Sequence, residues 1–311
     1  MSDLDEYLHF AVELAKKAGE MITSGQADRL KSMASPQSKA SPVDLVTEID
    51  QAVENFIKAS IQGRYPSHKF LGEETYAIDK KMDLTDDYTW IVDPIDGTTN
   101  PLVGCSIGLS YQKAPIVGVI IMPFSNQLFS ARMGGGAFLN ETIRLPVNGQ
   151  PQALESLQQC LIGFEWGGDR RVETMGPKIA TVSKLVGDSS VGGILTRGIR
   201  TLGCSTANIC AIALGGLDIY WDNGCWPWDV CAGIVIVQEA GGYVTTGHPD
   251  KFLKGDISIG DIMMGRRYCF VRAVAASKKD SAQDKQRALV VELLQNVVPW
   301  KTEGMSYLHE G

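Results

Sequence analysis

Apolar side chains recur at helical spacing from Leu4 through Leu8, Ala11, Ala15 and Ala18 to Ile22, which predicts a helix ending near Gly25. A second series, Ile49, Val53, Phe56, Ile57 and Ile61, predicts a helix that stops at Gly63, with Thr47 and Asp50 reading as a capping box at its start. Residues 32–42, rich in Ser, Pro and Lys, form a loop between the two. Short apolar runs at 69–71, 89–92, 106–111, 116–122 and 127–132, separated by turn residues, predict strands, the last three as a meander. The pattern then restarts with a strand at 160–164, a helix at 177–186, a short apolar helix at 206–214 and a strand at 218–221. Residues 229–240 are apolar on nearly every face, as in a buried helix. A strand at 269–274 and a helix at 281–295 complete the series. The mixture is α/β (α+β) with substantial antiparallel pairing, in two sub-domains, 1–150 and 151–311, divided at the Pro-, Asn- and Gly-rich stretch 146–154.

Composition narrows the chemistry. The chain has 311 residues, 44% hydrophobic and 21% charged, so a disordered or coiled-coil chain is excluded. Lys and Arg number 29 against 36 Asp and Glu, a net charge of −7 that argues against a nucleic-acid partner. No apolar run approaches the roughly 18 residues of a membrane span. The opening acids Asp3, Asp5 and Glu6 lack the order of a signal peptide, and seven cysteines without a CxxC pair read as reduced thiols in a cytoplasmic protein. Four histidines without an HxxxH pattern leave carboxylates as the metal ligands, and carboxylates select hard cations.

Residues 90–100 read Trp-Ile-Val-Asp-Pro-Ile-Asp-Gly-Thr-Thr-Asn. Two carboxylates at a strand end can converge on a pair of hard cations, and Pro94 is expected to stop the strand. The N–H groups that follow would face an anion at a helix start. Equally, Asp93 or Asp96 can serve as an N-cap. Glu73 and Glu74 after Gly72 read alone as surface acids, and Asp229 at the head of an apolar helix reads alone as a residue favoured by the helix dipole.

Taken together, these strings resemble the inositol monophosphatase family of magnesium-dependent, lithium-sensitive phosphatases. The matching pieces are residues 39–50, Gly72-Glu73-Glu74, residues 90–100, residues 198–203, residues 225–233 and Glu239-Ala-Gly-Gly. The string around Trp226, Trp228 and Asp229 is similar to a fungal branch that includes quinate-pathway-associated relatives. The resemblance implies a layered αβαβα, sugar-phosphatase-like fold and a phosphomonoesterase of inositol monophosphate or a similar small polyol phosphate. A bisphosphate phosphatase of the same superfamily, or a catalytically weak metal and phosphate binder, stands as the alternative. It also implies a homodimer.

By motif position, the resemblance assigns two or three Mg²⁺ ions to Glu73, Asp93, the Ile95 carbonyl, Asp96 and Asp229. Gly97 and Thr98 would bind phosphate through their N–H groups. Asp50 would orient Thr98, which with Glu73 would position and deprotonate the attacking water. Gly203, Ser205 and Asp222 would meet the alcohol portion, and Lys39 lies near the site in relatives. Three departures stand out. Asp222 replaces a longer Glu, Gly168 stands near a substrate-contacting Ser, and the segment after Asn100 lacks about five residues.

Overall fold

A computed structural model describes residues 3–33, 42–80, 82–97, 102–147, 149–255 and 257–298, with residues 26–33, 42–47 and 79 described by their backbone alone. Thr98 and Lys39 therefore lie outside the described residues. The chain divides into two units, Met1–Ile143 with Trp228–Ile236, and Arg144–Pro227 with Val237–Gly311. The segment that carries Asp229 thus groups with the first unit, although it comes from the second half of the chain.

The first unit opens with two helices, α1 (Asp3–Met33) and α2 (Pro42–Arg64). The first does not end near Gly25. A Cβ on Gly25 would collide with the Ile49 side chain, so this glycine serves as the contact point for α2 and the helix continues through it. The capping box is likewise overturned: α2 starts at Pro42, a residue preorganised for a first helical turn, and Asp50 lies inside the helix on its buried face.

The strands follow as β1 (Lys69–Gly72), then after helix α3 (Glu73–Asp79) β2 (Thr89–Asp96), β3 (Gly104–Tyr111), β4 (Ala114–Met122), β5 (Gln127–Arg132), β6 (Gly136–Leu139) and β7 (Ile143–Arg144). They form one sheet in sequence order. The β1–β2 pair is parallel, and the pairs from β2 to β6 are antiparallel. Ala11, Ala15, Ala18 and Ile22 of α1 and Val53, Ile57 and Ile61 of α2 share one core with Trp90, Val92, Ile107 and Val119 of the sheet. Each large side chain buried there contributes about 1.5–3 kcal/mol.

The second unit holds β8 (Leu161–Phe164), α4 (Val172–Val186), β9 (Gly198–Arg200), α5 (Ser205–Leu214) and β10 (Ile219–Asn223). Helix α6 (Pro227–Glu239), whose residues Trp228–Ile236 group with the first unit, comes next in the chain, and the second unit resumes with β11 (Tyr243–Thr246), α7 (Pro249–Lys254), α8 (Ile259–Met264), β12 (Arg267–Val271) and α9 (Ala282–Asn296). Its sheet runs β11-β12-β10-β8-β9. Helix α4 begins five residues before the expected Pro177, with Arg171 at its N-cap and no side-chain capping bond; just ahead of it the Asp169 carboxylate accepts from the Arg171 N–H and the Thr174 hydroxyl. All seven cysteines are buried and none is in a disulfide. Among the described residues no helix is long and apolar enough to cross a membrane.

One feature of the first sheet positions α6. Gly108 of β3 and Gly118 of β4 are direct cross-strand partners. A Cβ on Gly108 would strike Cys231, and one on Gly118 would strike the backbone of Ala232. Two facing glycines thus make a bare patch on which the α6 backbone rests. The Ser106 hydroxyl donates to the Trp228 carbonyl at 2.8 Å and fixes the first turn of α6, where Asp229 sits.

Candidate metal centre

Pro94 does not stop β2. Asp93 pairs with Ser106 and Asp96 with Gly104, so three steps on β2 face two on β3. That extra residue is a β-bulge, one of the few places in a sheet where proline is accommodated. It also settles which way the two acids point. Side chains three apart in a regular strand lie on opposite faces, and one inserted residue restores them to the same face. Asp93, Asp96 and Asp229 accordingly bring carboxylate oxygens within 4.8 Å of one another.

Glu73 arrives by another route. It is the first residue of α3, and Gly72 before it has no side chain with which to cap the helix. Glu54 of α2 does so instead. Its Oε2 accepts from the Glu74 N–H at 2.8 Å, and its Oε1 accepts from the Thr75 N–H at 2.8 Å and the Thr75 hydroxyl at 2.6 Å. Glu54 is 2% exposed, so this cap is shielded from water and holds the helix end that presents Glu73.

These acids crowd one another. Burial, then the charges of Glu74, Glu73 and Glu54, push Asp50 up to about 8. Burial pushes Glu73 up to about 7, opposed by an interaction with the Asp93 carboxyl and reinforced by the charges of Asp96, Glu74 and Glu54. Burial, then Glu73, Asp96 and Asp229, hold Asp93 well above the ordinary carboxylate range. Carboxylates packed this way must take up either protons or cations.

The residues fit divalent cations. Asp93 Oδ1 is buried with no hydrogen-bond partner among the described residues, an expensive state that a cation would relieve. Oxygens sharing one Mg²⁺ lie roughly 3–4 Å apart, close to the spacing of the three aspartates. Gly97 follows with φ of 80°. Ile95 is buried in the bulge.

Gly203, Ser205 and Asp222 belong to the second unit. The Ser205 hydroxyl meets Cys225 Sγ at 3.2 Å. Asp222 is 8% exposed and turned onto its own strand: Oδ2 accepts from the Tyr220 hydroxyl at 2.6 Å and Oδ1 accepts from the Asn223 N–H. A Cβ on Gly168 would meet nothing within 4 Å.

Glu54 and Ser106 escaped the sequence reading. Glu54 had a signal. It falls four residues after Asp50 on the apolar face with Val53 and Ile57, an unusual place for an acid. Ser106 had none, since its partner is a backbone carbonyl 122 residues away.

Comparison with known proteins supplies the context. The model of the inositol monophosphatase family matches residues 3–296. The chain is 38% identical to the quinic acid degradation cluster protein x of Neurospora crassa, over 95% of each chain. It is 39% identical to human inositol monophosphatase 1, over 78% of this chain and 85% of the human one. The solved inositol monophosphatase of Anabaena superposes with a TM-score of 0.68 at 26% identity, over 96% of this chain and 98% of that one. The mixed α/β fold, the span of the family match and these identities establish that the chain belongs to the inositol monophosphatase family and is a phosphatase of that superfamily.

Proposed function

We propose that the chain is a Mg²⁺-dependent phosphomonoesterase acting on inositol monophosphate or a similar small polyol phosphate. The observation that carries this reading is the meeting of Asp93, Asp96 and Asp229, with an unsatisfied buried oxygen on Asp93, in a chain of this family. In this reading those three, with Glu73 and the Ile95 carbonyl, hold two or three ions. Bound there, divalent cations supply the positive charge that lets an anionic ester enter an acidic site and that eases departure of the leaving oxygen.

The remaining work falls to the protein. Glu73, raised above the ordinary carboxylate range in the ion-free protein by burial and by the charges of its neighbours, is assigned to taking a proton from the attacking water. Asp50, one helix turn before the Glu54 cap, is assigned to orienting Thr98, and the N–H groups of Gly97 and Thr98 to the phosphate oxygens. Water attacks phosphorus as its proton passes to Glu73; a new P–O bond forms, the ester P–O bond breaks, and the leaving alkoxide takes a proton from a solvent water, whose hydroxide is neutralised by the proton that Glu73 returns to solvent. Gly203 and Ser205 are assigned to the alcohol portion.

The test is phosphate release from a panel of esters with Mg²⁺ and with EDTA. Mg²⁺-dependent release from inositol monophosphate is expected. Release from a nucleotide bisphosphate alone would favour the superfamily alternative, and ligand binding without release would mark a binder rather than an enzyme.

A further inference from the structure

Two of the acids assigned to the cations stand on helices rather than on the sheet. Glu73 opens α3, and Asp229 lies in the first turn of α6. Both belong to the first unit. Helix α3 spans only Glu73–Asp79, too short to be stable in water by itself, so its placement comes from its neighbours. Glu54 supplies one anchor by accepting from the N–H groups of Glu74 and Thr75. That anchor fixes the N-terminal end of α3. A helix held at one end alone can still swing and turn about its axis, and either motion would carry the Glu73 side chain with it.

Tyr76 supplies a second anchor. It follows Glu73 by three residues and so shares its face of α3. Its ring meets that of Trp228 with centroids 5.2 Å apart and planes at 46°, within the range over which aromatic rings attract. Lys80, at the C-terminal end of α3, sets its ammonium 5.4 Å from the same Tyr76 centroid. Trp228 is a firm partner: it is buried, its carbonyl is held by the Ser106 hydroxyl, and the next residue is Asp229. Helices α3 and α6 are thus linked twice. One link is ring to ring. The other is acid to acid, since Glu73 interacts with the Asp93 carboxyl, and Asp93 lies within 4.8 Å of Asp96 and Asp229. The second link turns repulsive as the acids ionise. The first carries no carboxylate charge and opposes that repulsion.

We propose that Tyr76 is a positioning residue for the metal centre: its ring, seated on Trp228, holds α3 so that Glu73 stays with the cluster of Asp93, Asp96 and Asp229 while no cation is there to gather them. The inference rests on the metal-dependent phosphatase reading above and adds what fixes the approach of the one acidic ligand carried by a short helix. Its consequence is preorganisation. The acids need not be collected at the moment of binding, so the ring governs cation affinity rather than the chemical step.

Tyr76→Leu, which keeps apolar bulk and removes the ring, tests this beside Tyr76→Phe, which keeps the ring, and Ile78→Ala, a change at an exposed position of the same helix. Two quantities would be read: the Mg²⁺ concentration for half-maximal thermal stabilisation without substrate, and the Mg²⁺ dependence of phosphate release from inositol monophosphate. Tyr76→Leu should raise both concentrations about tenfold, with kcat at saturating Mg²⁺ within about twofold of wild type. Tyr76→Phe and Ile78→Ala should keep the wild-type response. If Tyr76→Leu melts lower in EDTA but half-saturates like wild type, the ring is packing alone; if Tyr76→Phe loses as much as Tyr76→Leu, the hydroxyl and not the ring contact is at work. Either result overturns the proposal while the phosphatase reading stands. Trp228→Leu removes the contact from the other side. It should produce the same shift, and combined with Tyr76→Leu the two effects should not add; full additivity would overturn the proposal. If the wild type showed no Mg²⁺-dependent stabilisation and released no phosphate, the phosphatase reading itself would fall, and this inference with it.

Discussion

Glu54 occupies the space that a side chain on Gly72 would need. A Cβ on Gly72 would sit inside 3.0 Å of the Glu54 carboxylate, the same group that caps α3 and so presents Glu73. The glycine before Glu73 is thus required by a residue on a different helix. Gly72→Ala should cost about 1–3 kcal/mol through overpacking. It should also raise the Mg²⁺ concentration needed for half-maximal thermal stabilisation. Urea denaturation in EDTA and melting against Mg²⁺ would check both, and wild-type values in both would refute the linkage.

The Gly108–Gly118 seat leads to a similar expectation for Asp229. Gly118→Ala drives a methyl group into the backbone of Ala232, which must lift α6 and carry Asp229 with it. Turnover should fall by at least tenfold, and the melting temperature should fall with and without Mg²⁺. A variant that melts like wild type and retains its Mg²⁺ response would show that the helix does not rest on this patch.

The crowded acids couple stability to pH. Asp50 has an ordinary value of 3.8 and stands at about 8, and Glu73 moves from 4.5 to about 7. The folded, ion-free protein therefore holds protons that the unfolded chain has released. The stability these two groups contribute is fully present below about pH 4 and is lost as pH rises through 7 to 8. Divalent cations offset that loss where the acids are ionised and compete with protons where they are not. The gain in melting temperature from 5 mM-scale Mg²⁺, on the order of a few degrees, should be larger at pH 8 than at pH 5. An equal gain at both values, or none, would contradict the coupling.

A buried ion pair anchors the second unit and is separate from the chemistry. Arg272 Nε donates to Asp218 Oδ1 at 2.5 Å, and Asp218 Oδ2 accepts from the Leu161 N–H at 2.7 Å, with both side chains 11% exposed. Asp218→Ala removes the counter-charge and leaves the guanidinium on the Gln152 and Ala273 carbonyls alone, which should cost roughly 3–5 kcal/mol. Urea denaturation measures this, and a loss below about 1 kcal/mol would show the pair to be solvated.

The longer helices and the central strands were legible because their apolar periods are long and regular, as with Ala11, Ala15, Ala18 and Ile22, whereas α3, α7, α8, β9 and β11 are too short to show a period and went unread. The errors arose where tertiary contact overrode a local rule. Gly25 reads as a helix stop but is a helix contact. Pro94 reads as a strand stop but sits in a bulge, and Asp50 reads as a cap but lies inside α2. The strings around Asp93, Asp96 and Asp229 pointed to hard cations, yet the bulge that turns Asp93 and Asp96 to one side is a register between strands that one strand alone does not encode.

The most direct measurement is Asp93→Asn, followed both by Mg²⁺-dependent phosphate release from inositol monophosphate and by melting in EDTA at pH 8. Asp93 is 1% exposed among like charges. Neutralising it should remove at least a hundredfold of the turnover, which is about 2.7 kcal/mol of barrier. It should also raise, not lower, the melting temperature of the ion-free protein by relieving repulsion. Turnover close to wild type would contradict the assignment of this cluster as the metal centre.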